Sequence, residues 1–130
     1  MQRVIPYLSY ADAAKAIEFL TAAFGFHERF RYPMPDGRIG HAELAAGDVV
    51  VYLASEYEGF GASPLRLPTV HCQLYCLVDD VEAHMARART AGATIVGDLH
   101  EAHGTRNYRA LDPEGHRWQF AQKTGGGAES

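Results

Sequence analysis

An internal repeat relates the two halves of this chain. Asp12 opens an alanine-rich segment that ends at Gly25, and 68 positions after Asp12 a similar segment opens at Asp80 and ends at Gly92. Each segment follows an apolar run and precedes several stretches with strand character. A repeat of this length predicts two similar modules that pack as one unit. We expect a functional site at the seam between them.

Charge and hydropathy narrow the possible partners. The 130 residues carry a net charge of −4 and no basic stripe, so a nucleic-acid partner is not expected. No apolar run approaches the ~18 residues of a membrane-spanning helix, and the N-terminus lacks the pattern of a signal peptide, so no membrane partner is expected. Cys72 and Cys76 would lie about 13 Å apart in a strand, too far for a disulfide. We therefore expect reduced core thiols in a cytoplasmic protein.

Each half is predicted to contain one helix and four strands. Asp12 caps the first helix and Gly25 ends it, while Asp79 or Asp80 caps the second and Gly92 ends it. The predicted strands cover residues 4–10, 26–32, 38–45 and 49–54 in the first half, and 70–78, 94–99, 107–111 and 117–122 in the second.

The segment between the halves has a different composition. Module one is residues 1–55 and module two is residues 70–123, and together they form one domain over residues 1–123. The linker, residues 56–69, is rich in glycine and proline but carries Tyr57 and Phe60. These two aromatic side chains either close over a pocket or cover the edge of the core. Residues 124–130, with three successive glycines, are predicted to be a flexible tail.

The order of elements and two short motifs resemble a known family. The motifs are Asp112-Pro-Glu-Gly-His-Arg-Trp118, which enters the last strand, and His41-Ala-Glu-Leu44. With the repeat, they resemble the vicinal oxygen chelate superfamily of glyoxalase I, bleomycin resistance proteins and extradiol dioxygenases, and within it a glyoxalase-like branch. The resemblance covers residues 3–122. It implies an α+β fold in which two βαβββ modules in tandem form a curled, mixed β-sheet cleft with the helices outside.

The same resemblance implies four positions for a metal ion, on the first and last strand of each module. Those positions hold Ile5, Tyr52, Gln73 and Gln119. Isoleucine cannot bind a metal, neutral glutamine is a weak oxygen donor, and tyrosine must first lose a proton. We therefore expect no metal and no cofactor at the family site. The pattern is more similar to the bleomycin resistance proteins, which bind their drug in the same cleft.

Strand alternation predicts which side chains face the cleft. The predicted lining, including the two linker aromatics at the mouth, is Tyr7, His41, Glu43, Tyr52, Tyr57, Phe60, Gln73, Tyr75, Arg117 and Gln119. Trp118 and Phe120 then belong to the core on the helix side. Aromatic walls with a few polar groups are typical of a small-molecule pocket. The plainer alternative is that the tyrosines pack on each other and close the cleft.

His41 and Glu43 are the candidate catalytic residues. They face the cleft about 7 Å apart along one strand, too far for a direct hydrogen bond without side-chain reach, but close enough to contact one ligand. A carboxylate beside a histidine could form a general acid–base pair. Alternatively, they are ordinary residues of the cleft wall or form an ion pair with Arg29 or Arg31 on the adjacent strand.

The other histidines form no recognised ligand motif. His84 is expected at the edge of the core. His100 and His103 are expected in a loop that could bind a metal only with further ligands, and His116 in an exposed turn.

Two functions follow from these patterns. The preferred one is a metal-independent binding protein of the glyoxalase/bleomycin resistance type, which sequesters a planar or aromatic small molecule such as an antibiotic. The second is a glyoxalase-like lyase, isomerase or dioxygenase that uses His41 and Glu43 or a relocated metal. The resemblance also implies a homodimer in which modules of both chains build two equivalent clefts. Whether the modules pair within one chain or between two is left open by the sequence.

Overall fold

The computed structural model describes residues 2–124, which contain two helices and eight strands. In chain order these are β1 (Tyr7–Tyr10), α1 (Ala13–Phe24), β2 (His27–Pro33), β3 (Ile39–Ala46), β4 (Val49–Ser55), β5 (Gln73–Leu77), α2 (Val81–Thr90), β6 (Thr94–Ala102), β7 (Thr105–Leu111) and β8 (Arg117–Lys123). A single 3₁₀ turn, Pro64–Arg66, lies in the linker. Neither helix in this part of the chain has the length and apolar character needed to cross a membrane. The predicted tail, except Thr124, lies outside the described residues.

The two modules share one sheet topology and one strand register. Sheet one has the strand order β1-β4-β3-β2 and sheet two the order β5-β8-β7-β6. In each sheet the first strand runs parallel to the last, which pairs Tyr7 with Tyr52 and Tyr75 with Gln119. These two pairs occupy equivalent positions in the repeat. The predicted fold class, α+β with two βαβββ modules in tandem, is confirmed.

The repeated helices begin and end as the sequence predicts. Asp12 and Asp80 each accept a hydrogen bond from the backbone N–H three residues later, which satisfies a donor that the helix leaves unpaired. Gly25 and Gly92 follow the helices with φ angles of 80° and 96°. Glycine adopts this left-handed conformation without the steric cost that a Cβ would add.

One hydrophobic core contains both helices and the helix-facing side of both sheets. α1 packs on α2, and the ring of Phe24 contacts Trp118 and Phe120 of sheet two at centroid distances of 5.2 and 4.7 Å. Trp118 and Phe120 are therefore buried on the helix side, as predicted. Because the helix side of each sheet faces this shared core, the opposite side of each sheet points away from it. We call these surfaces outer face one, on sheet one, and outer face two, on sheet two.

The Asp-Pro-Glu-Gly turn before β8 attaches module two to module one. The buried carboxylate of Asp112 accepts hydrogen bonds from the Tyr10 hydroxyl at 2.6 Å and the Trp118 indole N–H at 3.2 Å. Burial and the neighbouring Asp112 raise the pKa of Tyr10, so its hydroxyl stays protonated and donates. Glu114, also buried, accepts from the two backbone N–H groups just before α1 at 2.6 and 2.8 Å. The motif that carries much of the family resemblance is therefore a structural junction.

Two strands begin three residues later than predicted because their pairing is limited. β1 begins at Tyr7 rather than at residue 4, since Pro6 has no N–H to donate to the ladder. β5 begins at Gln73 rather than at residue 70, since its partner β8 begins at Arg117. Cys72 consequently lies outside the sheet and is exposed, which contradicts its prediction as a core thiol.

β6 is longer than predicted and ends in a tight hairpin. His100 was expected in a loop but pairs with Asn107 across the sheet. His103 and Gly104 form the turn, with φ angles of 53° and 76°. Two successive residues with positive φ are typical of a two-residue hairpin whose twist matches the strands. The two histidines therefore lie on a strand and in its turn, rather than together in one loop.

Candidate small-molecule site

Outer face one carries a cluster of aromatic rings. Parallel pairing of β1 with β4 places Tyr7 beside Tyr52, and β3 adds His41. The ring centroids lie 5.6 Å apart for Tyr7 and Tyr52, 5.4 Å for Tyr7 and His41, and 4.8 Å for His41 and Tyr52, all edge to face. Aromatic contacts of this kind contribute about 0.5–1.5 kcal/mol each beyond area burial. The three rings therefore hold one another in place.

A chain of hydrogen bonds crosses this cluster. Arg29 donates to one carboxylate oxygen of Glu43 at 3.0 Å, and the other oxygen lies 3.0 Å from Nε2 of His41. Nδ1 of His41 lies 2.7 Å from the Tyr7 hydroxyl. Side-chain reach thus closes the gap that strand spacing leaves between His41 and Glu43. Of the two arginines considered from the sequence, Arg29 forms the ion pair with Glu43, while Arg31 pairs with an acid on its own strand.

The charges in this chain set the direction of each hydrogen bond. Hydrogen bonds from Arg29 and His41 lower the pKa of Glu43, so its ionised carboxylate can only accept. His41 therefore donates from Nε2, and in the tautomer with its proton on Nε2 the ring accepts from the Tyr7 hydroxyl at Nδ1. Burial, followed by the nearby tyrosines and Glu43, raises the pKa of Tyr7, which keeps that hydroxyl protonated. The Tyr7 oxygen can then accept a hydrogen bond from an N–H or O–H group of a ligand.

The linker places its two aromatic side chains over this cluster. Tyr57 and Phe60 stack with centroids 5.0 Å apart and planes 6° apart, and Phe60 packs edge-on against Tyr7 at 5.4 Å. Both remain about half exposed, at 53% and 47%, and Phe60 makes its contact with the tyrosine cluster. With Arg38 and Glu56 they border an open cavity of about 740 Å³. That volume is within the range of small-molecule sites.

Edge strand β2 adds aromatic residues that the sequence prediction missed. Tyr32 pairs with His41 across the sheet, and the Phe30 ring lies 6.0 Å from the His41 ring. Both are exposed, and Tyr32 borders a second cavity of about 350 Å³ together with Met34 and Tyr57. The alternation of Phe30 and Tyr32 within this strand is the signal that would have placed them on outer face one.

Outer face two holds the remaining predicted residues. Gln73 and Tyr75 on β5 pair with Arg117 and Gln119 on β8. Tyr75 is 55% exposed, and the Gln119 amide donates to Asn107 at 3.1 Å.

The predicted lining therefore forms two groups within one chain. Outer face one and its linker carry Tyr7, His41, Glu43, Tyr52, Tyr57 and Phe60, whereas outer face two carries Gln73, Tyr75, Arg117 and Gln119. Strand pairing among the described strands occurs only within each module. Both faces point away from the shared core, so a single chain does not bring the two groups into contact.

The four positions where family members hold a metal are divided in the same way. Ile5 and Tyr52 belong to module one, while Gln73 and Gln119 belong to module two. Isoleucine offers no donor atom and the two amides are weak ligands. Within residues 2–124, no three or more His, Cys, Asp or Glu side chains are grouped so that they could hold a metal ion. The residues at the family positions therefore do not fit a divalent cation.

Two further histidines support the fold. Nδ1 of His84 lies 2.6 Å from the Tyr108 hydroxyl, its ring packs on Phe120 at 4.1 Å, and burial lowers its pKa. This agrees with the predicted position at the core edge. His116 was predicted to be exposed, but it is half-buried, and its Nε2 lies 3.0 Å from the carbonyl oxygen of Ser9. The turn that carries His116 folds back onto module one, which no local sequence pattern indicates.

Comparisons with known proteins agree with this fold. The family model for the Glyoxalase/Bleomycin resistance protein/Dioxygenase superfamily matches residues 4–120. An uncharacterized protein of Mycobacterium bovis is 36% identical over 122 residues, which cover 90% of this chain and 80% of the relative.

Two solved structures illustrate the range of similarity. TioX from Micromonospora sp. ML1 has 32% identity and a TM-score of 0.76, with 95% of this chain and 99% of that chain covered. The fosfomycin resistance protein FosX from Listeria monocytogenes has 12% identity and a TM-score of 0.71, with 95% and 94% covered. At that identity, the likeness to FosX concerns the fold alone.

Proposed function

The chain belongs to the glyoxalase/bleomycin resistance protein/dioxygenase superfamily, and from this premise we propose that it is a metal-independent binding protein that sequesters a planar or aromatic small molecule, such as an antibiotic. The observation that carries the proposal is the aromatic cluster on outer face one, where Tyr7 packs against Tyr52 and Phe60, and Phe60 also borders an open cavity. The weak donors at the family metal positions favour binding over metal chemistry.

Stacking and a few oriented polar groups would hold such a ligand. A flat ring can stack on the exposed Tyr57 and Phe60, and a donor group on the ligand can reach the Tyr7 oxygen. Glu43 is ionised, and it is held in place by Arg29 and His41. This arrangement combines aromatic walls with a small number of fixed polar atoms, as small-molecule sites do.

We also propose that the protein acts as a cytoplasmic homodimer. Outer face two of one copy would cover outer face one of the other, so that both groups of lining residues meet in each of two equivalent clefts. Tyr75 and Leu77 support this, since they are 55% and 50% exposed on outer face two of the single chain. The free thiols of Cys72 and Cys76 suit a reducing compartment.

A metal analysis followed by a thermal-shift panel tests the binding function. Untagged protein is first analysed for bound metal and then mixed with a panel of aromatic antibiotics. A true ligand at ~100 times its Kd should stabilise the protein by roughly 2.7 kcal/mol. About one divalent ion per chain would contradict metal independence. No stabilisation by any aromatic compound would contradict the proposed ligand class.

Sedimentation equilibrium tests the dimer. Leu77→Glu places a charge on outer face two and should convert a dimer to monomers. Leu65→Glu is the matched control, because Leu65 is 64% exposed and lies in the linker turn rather than on a strand of either sheet. Wild-type protein that sediments as a monomer, or equal behaviour of both variants, would contradict the proposed interface.

An acid–base enzyme is the second candidate, and the hydrogen-bonded chain from Glu43 through His41 to Tyr7 favours it. It would be a glyoxalase-like lyase or isomerase, or a dioxygenase with a metal held elsewhere. His41→Gln should then lower turnover of a dicarbonyl–thiol adduct by about 10²–10⁴-fold, the usual contribution of a positioned base. If the wild-type protein does not turn over such an adduct, the binding function stands alone.

A further inference from the structure

Outer face two presents positive charge on a chain whose net charge is −4. Arg109 on β7 and Arg117 on β8 are both exposed, and each precedes a buried residue in its strand, which directs the two arginines outward. Within residues 2–124, neither makes a hydrogen bond or an ion pair. The other strand arginines, Arg29, Arg31 and Arg106, are each paired with a carboxylate.

Three acidic residues of module two lie away from this face. Asp98 pairs with Arg89 of α2, and Glu82 of α2 pairs with Arg106, so these contacts are on the helix side of the sheet. Glu101 is opposite Arg106 in the sheet register and therefore shares that side. On outer face two, strands β5, β7 and β8 present Gln73, Tyr75, Leu77, Thr105, Asn107, Arg109, Leu111, Arg117, Gln119, Ala121 and Lys123, and none of these is acidic.

The two arginines are close enough to share one ligand group. The register places Arg109 opposite Gln119 and Leu111 opposite Arg117, so the arginines are diagonal neighbours on adjacent strands. Diagonal neighbours lie about 7–8 Å apart at the backbone, within reach of long side chains. The aliphatic carbons of the Arg109 side chain pack over Gly97, within 3.8 Å of the position that a Cβ at residue 97 would occupy. This contact restricts where the Arg109 side chain can lie. Gln73, opposite Arg117, adds an amide N–H donor.

From this placement we infer that outer face two is an anion-binding subsite, and that the ligand carries a carboxylate or phosphate group in addition to its planar ring. The ring part of this statement rests on the proposed function, whereas the anion part rests on Arg109 and Arg117. A guanidinium group has a planar fork of N–H donors that matches carboxylate and phosphate oxygens two at a time. Two such groups without a carboxylate partner leave that capacity available.

Four probes test the inference in calorimetric titrations. 1-Naphthoate and 1-naphthyl phosphate carry a ring and an anion, 1-naphthamide carries the ring alone, and inorganic phosphate carries the anion alone. At least one of the two naphthyl anions should bind about tenfold more tightly than the amide, since charge-assisted bidentate pairs are the stronger hydrogen bonds. The comparison of the two anions then distinguishes a carboxylate ligand from a phosphate ligand.

Matched variants locate the effect. In R109Q/R117Q, the advantage of the anion over the amide should fall below about twofold, as expected when both guanidinium groups are lost. R106Q makes the same kind of charge change on the opposite side of β7 and should keep the advantage. Equal binding of the amide and both anions by the wild-type protein, or an equal loss in R106Q, would overturn the subsite.

Inorganic phosphate separates this inference from the proposed function. Followed by NMR, it should give saturable shifts of the Nε–Hε signals of Arg109 and Arg117, with little change at Arg106. If none of the naphthyl compounds binds, the ring part of the inference fails, the antibiotic panel still decides the proposed function, and the phosphate titration decides the anion subsite by itself. In that case, a phosphate titration without saturable shifts at the two arginines would overturn it.

Discussion

Tyr52 and Gln119 occupy equivalent positions in the two sheets, and their surroundings show how the modules differ. Around Tyr52, module one gathers aromatic rings and pairs its charges, as Arg29 does with Glu43. Around Gln119, module two presents amides and two arginines without carboxylate partners. The shared register fixes where side chains lie on a face. The residue type at each position then decides whether that face presents aromatic rings or amide and guanidinium groups.

The turn before the last strand is a second difference between the modules. In module one, β3 and β4 are joined by Gly47 and Asp48, which are exposed. In module two, the equivalent turn is longer, and it buries Asp112 and Glu114 against the start of module one. One module thus ends in a plain hairpin, while the other supplies the polar contacts that join the two.

Among the variants that test this difference between the modules, Asp112→Ala should lower the free energy of unfolding the most. Four donors lose their acceptor at once: the Tyr10 hydroxyl, the Trp118 indole and the backbone N–H groups of Glu114 and His116. An unsatisfied buried donor costs roughly 1–3 kcal/mol, so the free energy of unfolding should fall by at least about 3 kcal/mol. Urea denaturation followed by Trp118 fluorescence measures this loss.

Asp48→Ala is the matched control in module one. Asp48 is exposed, so its replacement should change the free energy of unfolding by less than about 0.5 kcal/mol. Similar losses in the two variants would mean that the longer turn does not join the modules as described.

Tyr52→Ala and Tyr75→Ala test whether both outer faces serve one site. Each should weaken binding of the best aromatic ligand by about tenfold, because a stacked ring contributes of the order of 1 kcal/mol or more. Neither should unfold the domain, since Tyr75 is exposed and Tyr52 is only half-buried. Isothermal titration measures the affinity. A loss with Tyr52→Ala alone would confine the ligand to outer face one and argue against a cleft shared by two copies.

Local patterns were sufficient to predict most of the fold. The helix caps at Asp12 and Asp80 and the glycines that end the helices are short-range signals, and the structure has them as predicted. The exceptions depend on partners distant in sequence. β5 starts where β8 allows, and the hairpin at His103 needs a left-handed residue that is not glycine.

The site was less predictable because it depends on how the modules pack. Strand alternation placed Tyr7 and Tyr52 on one face, and Tyr75 and Gln119 on another. It could not indicate that α1 packs on α2 and directs those faces apart. The family metal positions lie only on the first and last strands of each module. A prediction built from them did not extend to the aromatic residues of β2 or to Arg109 on β7.

Gly61→Ala should disturb the linker loop that brings Phe60 against module one. A Cβ at Gly61 would overlap the hydroxyl of Ser9, so the loop that carries Tyr57 and Phe60 should shift away from Tyr7. Loss of one edge-on ring contact should weaken ligand binding by about threefold. The double variant Ser9→Ala/Gly61→Ala should recover part of the affinity. An unchanged affinity in Gly61→Ala would mean that this loop does not contact the ligand.

The smallest expected effect is a pH dependence of the protein's stability that arises from a difference between α1 and α2. His84 in α2 occupies the position of Ala16 in α1, so only module two has a titratable side chain there. Burial lowers the pKa of His84, with the nearby Arg87 acting in the same direction and a hydrogen bond to the backbone of Phe24 opposing it. Because the unfolded chain takes up the proton near the ordinary histidine pKa of about 6.5, protonation favours unfolding. The stability that His84 contributes is therefore fully present above about pH 6.5, and it is lost as the pH falls below that value.

Melting temperatures between pH 7.5 and 5.5 measure this dependence. In His84→Asn the side chain can still accept from the Tyr108 hydroxyl but does not titrate, so the fall in melting temperature over this range should be shallower than in the wild-type protein. His100→Asn is the control, since His100 is exposed on β6 and should leave the slope unchanged. If His84→Asn and the wild-type protein have the same slope, the acid sensitivity comes from groups that both modules share, and the helices do not differ in this respect.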